Sequence, residues 1–137
     1  MKETIENKMD LIGFKYETVQ FAVALCYGKK INEQFEFSFY KELLEFADKY
    51  DMQKIVAMIE AALKPLITYS NAVEMSNFAI LFNASNLRQS CFDFILDSVN
   101  SKNSLSNIDQ LDKDFAFQIL QQSFYRISET VEKQFYN

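Results

Sequence analysis

An all-α fold, arranged as an antiparallel array of helices, is what this sequence predicts, and three features predict it. Apolar residues recur at intervals of three and four along most of the 137 residues, the period of a helix with one buried face. Gly occurs twice and Pro once, so little interrupts such helices. The stretches between them are short and polar, and short connections make consecutive helices antiparallel neighbours.

The hydrophobic fraction is 49% and the aromatic fraction 15%, ample for a core and too high for a disordered chain. The length fits one domain or two small packed subdomains. The net charge of -5, without a basic block, argues against nucleic acid as a partner. No window suits a membrane span, since Glu60 and Lys64 break the apolar run from Ile55 to Leu66. The opening Met1-Lys2-Glu3-Thr4-Ile5-Glu6 does not read as a secretory signal. The expected location is intracellular, in cytoplasm or nucleus. There Cys26 and Cys91, each in an apolar helical pattern, are expected to be buried, reduced thiols.

The first ten residues are polar and are expected to fray. A helix follows over Glu17 to Tyr27, with Val19, Ala22, Val23 and Cys26 on one face and Gly28 as its stop. Ile31 to Phe37 is ambiguous. The alternation of Phe35, Phe37 and Phe39 suits a short extended piece, while Ser38 suits a cap; the reading adopted is a loop into a helix over 39–49. That helix buries Tyr40, Leu43, Leu44 and Ala47. Asp51 is placed to cap the next one, Met52 to about Ile67, where Ile55, Ile59, Ala62 and Leu63 face inward and Pro65 ends or kinks the helix near Lys64. Ser70 or Asn71 caps a third helix reaching Asn83, with Val73, Met75, Phe78 and Ala79 inside. Asn86 starts a fourth, with Leu87, Cys91, Phe94, Ile95 and Ser98 sharing one face. Ser98 to Ser106 is the clearest boundary, and within it Val99 to Ser104 is too polar to pack and reads as a loop. Asp112 or Asp114 opens another helix carrying Phe115, Ile119 and Leu120, and Ile127, Val131 and Phe135 give a last stripe. The predicted core includes Leu44, Ala47, Ile59, Leu63, Phe78 and Phe94.

Catalytic chemistry is sparse. There is no His, which removes the commonest near-neutral base and transition-metal ligand. Two isolated Cys cannot complete a zinc site. Asp109, Asp112 and Asp114 lack the Gly and terminal Glu of a calcium loop and read as a helix start. Asp93 and Asp97 read as a solvated face, and Gly28-Lys29-Lys30 lacks the spacing of a phosphate loop. The expectation is a non-enzymatic protein with no cofactor, no metal and no catalytic residue.

Three segments carry a family resemblance. The first is Ala24-Leu25-Cys26-Tyr27-Gly28-Lys29-Lys30-Ile31. The second is Leu43-Leu44-Glu45-Phe46-Ala47-Asp48-Lys49-Tyr50, followed by Ile55 and Ala57-Met58-Ile59-Glu60-Ala61-Ala62-Leu63. The third runs through Asn71-Ala72-Val73-Glu74 and Leu87 to Ile95. In this order and spacing the chain resembles the C-terminal half of a BTB (POZ) domain followed by a three-box and the start of a BACK-like helical region. Cys26 stands where that family usually has an aromatic, Tyr27 where it has Thr, and Ile59 where it has Cys. Only sixteen residues precede Glu17, so the small sheet and dimer helices of a full BTB domain are not in this sequence. The expectation is a fragment of a longer protein or a shortened relative.

The resemblance implies BTB C-terminal-like helices over 14–68, a three-box/BACK-like pair over 69–99 and a helical extension over 105–137. It implies a protein-interaction segment of a substrate adaptor for a cullin-3 ubiquitin ligase, with the cullin-3 N-terminal domain as partner and the substrate unidentified. The alternative is a BTB-like scaffold or transcription-associated module without ligase association, with self-association open in either case. The candidate binding residues are Glu42, Glu45, Glu74 and Asn77, with Tyr50 and Phe82 as anchors.

Overall fold

The computed structural model describes residues 13–31 and 35–136, with side chains through residue 125. Six α-helices and two 3₁₀ turns, and no strand, lie among the described residues. The polar start of the chain, residues 32–34 of the ambiguous piece, and the side chains of the stripe at Ile127, Val131 and Phe135 fall outside this description. No helix among the described residues is long and apolar enough to cross a membrane.

Two compact units divide the chain. The first takes the described residues through Pro65 together with Phe82–Ala84. It contains α1 (Tyr16–Cys26), α2 (Phe37–Lys49) and α3 (Gln53–Leu63). Each of the three packs on the other two. Ala22 and Leu25 of α1, Leu43, Leu44 and Ala47 of α2, and Ile55, Ile59 and Leu63 of α3 are buried, as their spacing predicts. Pro65 ends α3 as expected, within a 3₁₀ turn over Lys64–Leu66. Helix α2 starts two residues before the expected place, so Ser38 lies inside its first turn rather than capping it. The phenylalanine alternation that suggested an extended piece is instead an aromatic cluster. Phe21 meets Phe35 at 5.1 Å and Phe39 at 5.5 Å, and Phe35 meets Phe39 at 4.8 Å.

The second unit takes Leu66–Leu81 and the residues from Ser85 onward. It holds α4 (Ala72–Leu81), α5 (Ser85–Asn100), a 3₁₀ turn over Ile108–Gln110, and α6 (Lys113–Tyr136). Helix α5 packs on both α4 and α6. Val73, Met75, Phe78 and Ala79, then Leu87, Cys91, Ile95 and Leu96, then Phe115 and Ile119 build the core. Phe94, expected there, is only half-buried; its ring packs on Tyr69 at 5.2 Å. Helix α5 turns Leu96 inward, one position round from the predicted stripe. The polar stretch after α5 is tied down by hydrogen bonds rather than left loose. Asn103 Nδ2 donates to the Tyr69 hydroxyl at 3.1 Å, and the Ser106 N–H donates to the Tyr69 carbonyl at 3.0 Å.

The C-terminal ends of α1, α2 and α5 follow one rule. After α1, Gly28 sits at φ 98°, the Lys29 N–H donates to the Ala24 carbonyl and the Gly28 N–H to that of Leu25. That is the Schellman closure, which satisfies carbonyls a helix end leaves unpaired. Helix α2 closes the same way around Asp51 at φ 53°, with the Met52 N–H on the Ala47 carbonyl at 2.8 Å. Asp51 therefore ends α2 and does not cap α3, whose N-cap is Met52 with no side-chain bond. Its carboxylate accepts from Gln53 Nε2 at 2.8 Å. Lys102 plays the same part after α5 at φ 59°. Asn71 also departs from expectation: its carboxamide reaches back, accepting from the Thr68 N–H and donating to the Leu66 carbonyl. Asp112 does cap α6 as expected, its Oδ2 accepting from the Phe115 N–H at 3.1 Å.

Candidate protein-interaction surface

Residues 47–51 form a corner, because α2 stops there in a left-handed residue and α3 restarts at once. The corner rests on an aromatic set. Phe14, buried, meets Phe46 edge-on at 5.1 Å, and Phe46 meets Tyr50 at 4.8 Å. The Lys49 ammonium lies over the rings of Phe14 and Tyr50 at 5.4 and 5.8 Å. Tyr50 remains 45% exposed on this rigid base. A half-exposed tyrosine held from behind loses little entropy when it docks, which is what an interface anchor needs.

A second segment joins the same unit. Asn83 Nδ2 donates to Asp48 Oδ1 at 3.1 Å, which ties Phe82–Ala84 to the corner. Asn83 lies at φ 59°, and Ala84 is buried. Phe82 is half-buried. Both anchor candidates, Tyr50 and Phe82, thus belong to one unit.

The other candidates divide by what already holds them. Glu42 Oε2 accepts the hydroxyl of buried Thr18 at 2.8 Å, and its Oε1 accepts the Lys15 N–H at 3.3 Å, so this carboxylate pins the start of α1. Asn77 donates to the Gln110 carbonyl at 2.8 Å and accepts the Asp112 N–H at 3.0 Å, which fastens the 3₁₀ turn to α4. Glu45 and Glu74 are exposed, on different units. Sequence reasoning missed Phe14 and Asn83, and met Asp48 only as part of the resemblance. The only local signal for Asn83 was its type, since Asn tolerates left-handed backbone.

The second unit has a cleft of about 380 Å³ between α5 and α6, with Arg88, Asp93, Phe115 and Gln122 among its walls. The Arg88 guanidinium lies over the Phe115 ring at 5.7 Å. No group of three or more His, Cys, Asp or Glu that would hold a metal occurs among the described residues. Of the two thiols, Cys91 is buried, and burial pushes it up to about 12; Cys26, expected to be buried, is exposed. Cys26 shares the phase of Val19 and Ala22 but is the last residue of α1, where Tyr27 and Gly28 beyond it are exposed as well.

No protein-family model matches the chain, and no solved structure matches it significantly. Among curated proteins the chain is similar to Armadillo BTB Arabidopsis protein 1 of Arabidopsis thaliana, with 28% identity over 96 residues. The likeness points to a BTB-related region. It covers 70% of this chain and 13% of that protein, so the chain spans about an eighth of its relative's length.

Proposed function

We propose that this chain is a non-enzymatic interaction segment of a substrate adaptor for a cullin-3 ubiquitin ligase, with three-box/BACK-like helices following its BTB-related ones. The observation that carries the reading is the corner at Asp48–Asp51. The BTB resemblance is strongest there, and there an aromatic base holds Tyr50 half out of the protein. Exposed Glu45 on the same helix offers a rim charge that would tune encounter and register more than affinity. The substrate, and any compartment of cytoplasm or nucleus, belong to the whole adaptor.

The test is binding to the cullin-3 N-terminal domain by calorimetry. The expected dissociation constant is about 10 μM or tighter, equivalent to roughly -7 kcal/mol. Tyr50→Ala should weaken it about tenfold or more while the circular dichroism spectrum and melting curve stay in place. Glu42→Ala and Asn77→Ala should lower stability as well as binding, because each removes a bond internal to a unit. Absence of binding by the intact natural protein at tens of micromolar, about the weakest an adaptor can use, rejects the ligase role. A second reading, a BTB-related scaffold without ligase association, is favoured by the engagement of Glu42 and Asn77 in internal hydrogen bonds.

A further inference from the structure

The cleft between α5 and α6 lies wholly within the second unit and has no part in the corner at Asp48–Asp51. Its walls run from Ser85 to Leu96 on α5 and from Phe115 to Gln122 on α6. At 1.5 Å per residue these stretches are about 16 and 10 Å long. A volume of about 380 Å³ spread over that length makes a trough rather than a round pocket. An extended chain rises about 3.3 Å per residue, so about three to five residues fit along it.

The chemistry of the trough is polar. Leu96 and Phe115 are buried and leave little apolar surface to a ligand. Arg88, Gln89, Asp93, Gln118 and Gln122 are the exposed groups along the walls. A carboxamide both donates and accepts, and a peptide backbone presents an N–H and a carbonyl at nearly every residue. Three glutamines along a trough of this length therefore suit an extended peptide better than an apolar small molecule.

Charge selects the peptide. The Arg88 guanidinium lies over the Phe115 ring at 5.7 Å, and that ring is itself held edge-on by Phe92 at 5.5 Å. The stacked guanidinium is pre-oriented, and among the described residues no carboxylate pairs with it. Asp93, the other charged group of the walls, already accepts from Gln89 Nε2 at 3.1 Å. The charge left open is therefore positive. A carboxylate matches one guanidinium charge for charge and binds it through two parallel hydrogen bonds. A phosphate, at about -1.5 to -2, would leave negative charge unmatched beside Asp93. Arg88 stands about one turn inside the Ser85 end of the trough, so it meets a side chain rather than a chain terminus. We propose that the α5–α6 cleft binds a short extended peptide segment of a partner protein, with an Asp or Glu side chain of that segment on Arg88.

The experiment is a nitrogen-15 NMR titration of the full 137-residue chain. The probe is a peptide of alanine and serine, blocked at both ends, with one central glutamate. Saturable shifts are expected at the amides of Arg88, Gln89 and Gln122, with a dissociation constant of about 1 mM or tighter. Arg88→Gln should weaken binding about tenfold or more, and Arg88→Lys should recover only part of the loss, since an ammonium keeps the charge without the planar fork. Asp93→Asn should tighten binding by removing a like charge from the wall. Circular dichroism of these variants should stay that of the wild type, because both side chains are exposed. The same peptide with glutamine in place of glutamate should bind about tenfold more weakly or worse. No shift with the glutamate peptide at about 10 mM overturns the proposal. So does equal binding of a lysine peptide, or of a peptide whose one carboxylate is its C-terminus. Acetate alone moving the same amides as far at the same concentration also overturns it, by showing an anion site without peptide recognition. None of these outcomes involves cullin-3, so this proposal and the ligase reading fail separately.

Discussion

Two cysteines with similar sequence surroundings have opposite fates, and the difference is one of position along the helix. Both sit among apolar neighbours, so the sequence reads both as core. Cys91 lies mid-helix on the inward face of α5 between Leu87 and Ile95; Cys26, though in phase with Val19 and Ala22, is the last residue of α1. Burial disfavours the thiolate of Cys91 and raises its titration from the ordinary 9.0 to about 12. In native protein at mildly alkaline pH, one thiol, Cys26, should react promptly with a disulfide reagent, and the second only on unfolding. Prompt reaction of both would contradict the fold around α5. The same shift gives a pH dependence of definite sign. Below 9.0 the Cys91 thiol is protonated in both states and its contribution to stability is complete. Above that the unfolded chain releases the proton while the folded one keeps it. The contribution is therefore lost progressively until pH reaches about 12. Cys91→Ala should flatten this part of the alkaline unfolding profile.

At the scale of the element, helix interiors and helix ends were unequally legible. The inward stripes of α2 and α3 were readable, because an apolar period of 3.6 states which side is buried before the partner is known. The ends were readable where chemistry is unambiguous: Gly28 after α1 and Pro65 after α3. They were not readable where side-chain-bearing residues take the left-handed turn, as Asp51, Asn83 and Lys102 do. Asp51 was misassigned for this reason, since aspartate is also a good N-cap and the tertiary context decides which role it takes. Lysine gains nothing local from φ 59°. Lys102→Gly should therefore stabilise the protein by about 0.5–1 kcal/mol, the left-handed cost relieved less the added entropy of the unfolded glycine. Asp51→Gly should gain less, because it also loses the Gln53 hydrogen bond. Chemical denaturation of the two variants side by side measures the difference, and destabilisation by Lys102→Gly would refute the closure assigned to α5.

At the scale of the molecule, Leu63 tests the core of the first unit. It is fully buried at the end of α3. Leu63→Ala should cost about 2–5 kcal/mol through lost transfer energy and the cavity left behind. A change below about 0.5 kcal/mol in urea unfolding would mean that the helix phase is wrong. The sequence by itself determined the helical class and the order of the helices from residue 17 on. It also fixed most of the residues they bury, because hydrophobic period and scarce breakers act locally along the chain. Only the tertiary structure decided that Phe82–Ala84 leaves its flanking helices to join the corner through Asn83 and Asp48. It alone decided that Glu42 and Asn77 bond within their units. These are pairings over 24 or more positions. A polar side chain looks the same in sequence whether it faces water or a donor from a distant helix, and only the packed fold selects its partner.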